Sequence, residues 1–149
     1  DQIDHPSEAL WKERRDWFEN LFDIEKRGGS YLVGEHATGL LVDLQATYCA
    51  GAFIACVILG CTIIDSHIRE TEAGPDFQGG IEAAFGFSGF RAELDWLRKR
   101  RNQLVHFKSA ASGLAISVDD HFGNRDGHEV DAKRTVTLVA SVFFENPWV

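Results

Sequence analysis

The sequence predicts an all-α fold, a four- to five-helix bundle built around a long central helix, and three observations carry that prediction. Apolar residues recur at helical spacing in separate segments near the start, the middle and the end of the chain. A run of 21 residues between Asp43 and Asp65 holds no charge and is rich in Ala and Gly. Strand-like patterning is confined to a brief stretch at 115–118.

The first helix is expected over about 7–22. Pro6 suits a first turn, Glu8 favours the positive end, and Leu10, Trp11, Trp17, Phe18, Leu21 and Phe22 form one stripe. Lys26-Arg27-Gly28-Gly29-Ser30 is turn chemistry, and 31–38 reads as a short extended connector. The long helix is expected over about 39–71. Its uncharged run meets the length criterion for a membrane span. Gln45, Thr47, Thr62, the many small residues, the acidic flanks and the lack of a nearby Lys or Arg anchor argue instead for a helix buried on nearly all sides. Asp65 and Arg69, four apart near its end, are placed to pair.

Gly74-Pro75-Asp76 stops this helix, and 81–85 reads as a short helical turn. Ser88 offers an N-cap for a helix over about 89–107, with Phe90, Leu94, Leu97 and Leu104 on one face. The stretch that follows, D-D-H-F-G-N-R-D-G-H, is loop-like. Asp119, Asp120, His121, Asp126 and His128 match no metal-site spacing, so no metal is assigned and no cofactor is expected. A last helix over about 131–145, capped by Asp131 and ended by Pro147, turns Val136, Val139, Val142 and Phe143 inward.

The length of 149 residues suits a single domain over 1–149 that buries roughly two-thirds of its unfolded surface. A net charge of −8 argues against non-specific coating of nucleic acid, yet a local cationic site responds to its own surroundings. Cys49, Cys56 and Cys61 share one apolar run without a C-x-x-C pair. They read as buried thiols of a reducing, cytoplasmic compartment. Asp1 to His5 is polar and carries no signal-peptide pattern.

The segment with chemistry in it is Leu97 to Phe107, L-R-K-R-R-N-Q-L-V-H-F. Arg98, Lys99, Arg100 and Arg101 form a cationic run, and Arg101 interrupts the apolar stripe between Leu97 and Leu104, an unusual place for an arginine without a partner. Asn102 and His106, four apart, share a helix face. Arg101 lies about 140° round from His106 by the helical repeat. A straight helix does not unite the two, whereas two copies packed across a two-fold axis would. The spacing points to a dimeric site.

At Arg101-Asn102-x-x-x-His106, on a late helix following a long Ala-rich one, the sequence resembles the HEPN superfamily (higher eukaryotes and prokaryotes nucleotide-binding). The resemblance implies a helical bundle, usually a homodimer, whose motif helices meet at the interface. Many members are metal-independent endoribonucleases, often toxins or antiviral effectors, some held by an antitoxin or regulatory protein; others have lost activity and act as dimerisation or nucleotide-binding modules. Carried over, Arg101 and His106 match the catalytic pair and Asn102 the polar residue beside the Arg. Lys108 stands where some toxin subfamilies place a Tyr. The implied partner is RNA, with no membrane involved. RNA supplies its own 2′-hydroxyl nucleophile. A histidine can move the proton near neutral pH, and an arginine can hold the scissile phosphate as charge grows on it. The products would be a 2′,3′-cyclic phosphate and a 5′-hydroxyl. Arg98, Lys99 and Arg100 would then position the backbone. No residue of the family marks Asp65 or His67, which are candidates to support the site from around it.

Overall fold

In the computed structural model, residues 5–23, 34–107 and 116–145 are described, and every regular element among them is helical. Helix α1 spans Glu8–Leu21, close to its expected bounds. Ser7 caps it, its hydroxyl accepting the Leu10 N–H at 3.1 Å, with Glu8 in the first turn where a carboxylate suits the helix dipole. Only the second half of the expected stripe packs. Trp17, Phe18, Leu21 and Phe22 join the core, while Leu10 and Trp11 remain exposed.

The long central helix is not continuous. It divides into α2 (Glu35–Ala50) and α3 (Phe53–Ile68), which pack against each other. Gly51 makes the break. Its φ of 83° lies in the left-handed region open chiefly to glycine, and its N–H closes the end of α2 on the Tyr48 carbonyl. The second half keeps the expected character, for along α3 only Ala55 and Thr62 are exposed. No described helix is long and apolar enough to cross a membrane. A π-helical turn, Arg69–Ala73, continues from α3 and ends at Gly74, φ 86°.

The expected turn at 81–85 is α4 (Ile81–Phe85), and the motif helix is α5 (Arg91–Val105). Its N-cap is Phe90, not Ser88. Ser88 instead accepts the Phe90 N–H at 3.1 Å and donates to Glu145 at 2.8 Å, and the same carboxylate accepts the Gly89 N–H. The end of the last helix is thereby tied to the start of α5. The expected strand at 115–118 is not formed by its described residues. Ser117 caps α6 (Val118–Gly123) by accepting the Asp120 N–H, and Ala115 lies outside the described residues. The expected loop after it is mostly helical, since α7 runs Arg125–Phe143 and begins six residues before Asp131. Asp131 is therefore inside the helix, free to use its carboxylate across to α5. The extended connector expected over 31–38 is helical from Glu35 on, since α2 begins there with Gly34 at its N-cap. Its residues 31–33, the expected break at 26–30, the loose 109–113 segment, Lys108 and Pro147 lie outside the described residues.

Helix α3 is the hub, packing on α2, α7, α5 and α4. Cys56, Val57, Cys61, Ile63, Ile64 and Ile68 are buried against Leu94 and Leu97 of α5 and against Val136, Val139, Val142 and Phe143 of α7, the four positions expected to face inward. At Gly60 the α3–α7 seam is so close that any Cβ would collide with the Thr135 methyl. This hub sets where α5, and so the motif, sits.

Candidate functional site

Along α5, Leu94 and Leu97 are completely buried and anchor the helix, so the cations that follow are carried to the edge of the α3–α5 seam. Three of the four are neutralised within the chain. Arg98 donates to Asp95 at 3.0 Å and approaches Glu82 at 3.9 Å. Lys99 reaches the other Asp95 oxygen at 2.9 Å. Lys99 and then Arg98 hold the Asp95 carboxyl below the usual carboxylate range. Arg100 bonds Asp131 of α7 at 2.9 Å and Gln103 at 3.2 Å.

Arg101 differs. It is half-buried, its Nη1 donates to the Asn102 side-chain oxygen at 3.1 Å, and it forms no ion pair among the described residues. Its charge reaches the Cys61 thiol of α3, as do those of Arg98 and Asp65. Burial pushes that thiol up to about 12, with the two arginines pulling the other way. The residues around the seam are thus Arg98, Arg101, Cys61 and Asp65. Asp65 is turned to Arg69, which bonds it at 2.9 Å, the expected pair.

His106 does not share the Asn102 face of a helix. The helix ends at Val105, and His106 is its C-cap in extended conformation, φ −116° and ψ 105°, bonded through its N–H to the Asn102 carbonyl at 3.0 Å. No Gly or Pro forces this end. Val105, His106 and Phe107 are all exposed, and a helix without packing surface stops propagating. The imidazole stands in solvent beyond the last turn. A cleft of about 190 Å³ beside α5 is lined by Glu82, Phe85, Gly86, Arg91, Asp95 and Arg98, and so opens on the first cation of the run and not on Arg101 or His106.

His67 is placed apart from this seam. It is buried, its ring 4.8 Å from Phe143 of α7, and its Nδ1 has no hydrogen-bond partner. Burial lowers its pKa, against the opposing pull of Glu72, Glu70 and Glu145. At α6–α7, His128 is buried with Nε2 3.5 Å from Asp120, and the His121 ring is 6.1 Å away. No group of three or more His, Cys, Asp or Glu among the described residues is placed to hold a metal.

Comparison with protein-family models, with curated proteins and with solved structures finds no match.

The sequence marks the cations but not the acids that hold them. Asp95 was findable, being three and four residues before Arg98 and Lys99. Asp131 and Glu82 were not, because only the packing of α7 and α4 on α5 brings them close. Cys61, at the seam beside Arg101, likewise carried no sequence signal beyond apolarity.

Proposed function

We propose that the protein is a metal-independent endoribonuclease of the HEPN type, acting as a homodimer, in the role of a toxin or antiviral effector under the control of a partner protein. The observation that supports this reading is the state of Arg101. It is the one member of the four-cation run without a carboxylate partner among the described residues, and it is held half-buried against Asn102, with an exposed His106 just past the end of the same helix. A guanidinium oriented in this way and free of an acid is available for a phosphate. Two copies of α5 would bring one Arg101 towards the other chain's His106, whereas within one chain His106 lies beyond the end of the helix that carries Arg101. In that site Arg101 offsets charge on the phosphate, His106 takes the 2′-hydroxyl proton or protonates the leaving 5′ oxygen, and Asn102 holds Arg101. Lys99 is the neighbour best placed to add a backbone contact, because it is 63% exposed and its pair with Asp95 faces solvent, whereas Arg98 and Arg100 are largely buried in their pairs with Asp95 and Asp131.

A second reading, a non-catalytic helical dimer that binds a nucleotide, RNA or a protein, is favoured by His106 lying outside both the helix and the described cleft. Incubation with RNA in EDTA separates the two. The wild type is expected to leave cyclic-phosphate ends, while Arg101→Ala and His106→Ala each lose activity by about 10²-fold or more, the order of a general acid–base or oxyanion contribution. Intact RNA, or equal cleavage by the variants, sinks the catalytic assignment. Light scattering giving a monomer at assay concentration sinks the two-fold site.

A further inference from the structure

The turn joining α2 to α3 carries two guanidinium groups that the ribonuclease reading does not use. Arg14 of α1 donates Nη1 to the Cys49 carbonyl at 3.1 Å, and Arg125, the first residue of α7, donates Nη2 to the Gly51 carbonyl at 2.6 Å. Both sit over the Phe53 ring, their Cζ atoms 5.2 and 4.9 Å from its centroid. The point that a Cβ would occupy on Gly51 is 3.0 Å from Arg14 Nη1 and 3.1 Å from Arg125 Nη2, so two cations from distant parts of the chain converge on one bare Cα.

Neither arginine forms an ion pair among the described residues, and Arg14 Nε is buried with no hydrogen-bond partner. Of the carboxylates that act nearby, Glu19 is bonded to Gln45, and Glu129 acts on Tyr48, as Arg14 does, without forming an ion pair with either arginine. Capping the end of α2 explains one donor nitrogen on each guanidinium and no more. It also leaves the charge unbalanced. The terminal carbonyls of α2 carry about −0.5 charge against two full positive charges, and the adjoining N-terminus of α3, which has no side-chain cap, adds about +0.5. A monocarboxylate would leave a cation uncompensated, whereas a phosphate dianion matches both the charge and the forked donors of two arginines. The turn lies ten residues before Cys61 on α3, about 15 Å from the Arg101 seam at the helical rise, so it is a separate site.

We propose that Arg14 and Arg125 form a clamp for a phosphate monoester at the α2–α3 turn. The phosphate could be free or the terminal group of a nucleotide, since the clamp recognises what the two share. The test is a titration of the ¹⁵N-labelled full chain with inorganic phosphate at about pH 7.5 and constant ionic strength, following the Nε–Hε signals of Arg14 and Arg125 and the amide of Gly51. Saturable shifts of these signals are expected, with affinity falling at least tenfold in Arg14→Gln and in Arg125→Gln. A nucleoside 5′-monophosphate titrated in parallel assigns the source: equal affinity means that the phosphate alone is read, and tighter binding means a nucleotide. Shifts no larger than those from matched chloride in the wild-type protein overturn the clamp, whether or not the variants fold. Unchanged affinity in both folded variants overturns it too.

Discussion

A single methyl group placed on either of two glycines tests the helical hub. Gly39 and Gly60 are both helical, and in both an alanine gains about 1 kcal/mol of helix propensity. At Gly39 the added Cβ meets nothing within 4 Å, so the gain is kept. At Gly60 it collides with the Thr135 methyl and lies 3.6 Å from a Val139 methyl. Thr135 is fully buried, and its hydroxyl donates to the Asp131 carbonyl at 2.8 Å. Turning its side chain away therefore forfeits a bond of about 1 kcal/mol, and spreading α3 from α7 costs about 1–3 kcal/mol. Gly60→Ala should therefore lose about 1–3 kcal/mol net. At about 2–4 °C per kcal/mol for a chain of this size, thermal melts by circular dichroism should fall by about 2–12 °C for Gly60→Ala and rise by about 2–4 °C for Gly39→Ala. The Thr135→Ser substitution keeps the hydroxyl and removes the colliding methyl, so Gly60→Ala should cost little or nothing in that background. Equal shifts for the two glycines, or an undiminished cost of Gly60→Ala in the Thr135→Ser protein, would refute the close α3–α7 approach.

The buried His67 makes stability depend on pH. Its folded pKa is lowered from 6.5, so below about pH 6.5 the unfolded chain binds the proton first, and stability is lost as pH falls until the folded value is reached. His67→Leu should flatten the urea-unfolding free energy between about pH 7 and 5 relative to the wild type; an unchanged slope would show that this ring does not face the core. The cysteines should be silent in the folded protein. Burial raises the Cys49 pKa and pushes Cys56 and Cys61 up to about 12, so a thiol reagent at about pH 8 should label none of the three until denaturant is added. A native-state thiol reacting at the rate of a free cysteine would count against that packing.

Helix type and approximate place were legible because they rest on local periodicity. The packed half of the α1 stripe, Trp17 to Phe22, the short helical turn at 81–85, the inward valines of α7 and the Asp65–Arg69 pair all involve residues within one or two turns of each other. The candidate site was legible as a motif for the same reason, since Arg101, Asn102 and His106 are close in the chain. The state of each side chain was not. Arg98 and Lys99 meet a local acid, but Arg100 is neutralised by Asp131 from a helix 31 residues on, and that depends on how α7 lies across α5. His106 leaves the helix because packing ends there, and no local residue says so.

The break in the central helix shows the division most clearly. The sequence by itself determined that residues 39–71 would be helical over most of their length, since apolar and small residues dominate the run. The expected burial on nearly all sides holds only for α3, because Val42, Asp43, Ala46 and Ala50 of α2 are exposed. Three glycines, Gly39, Gly51 and Gly60, could each have made a turn, and only tertiary structure chose among them. Gly60 stays helical because α3 must approach Thr135 of α7, and Gly39 stays helical on an exposed face. Gly51 takes the left-handed conformation where Arg14 from α1 and Arg125 from α7 arrive to bond the carbonyls of the chain reversal. A glycine permits a turn; the groups that converge on it from elsewhere decide that the turn is made.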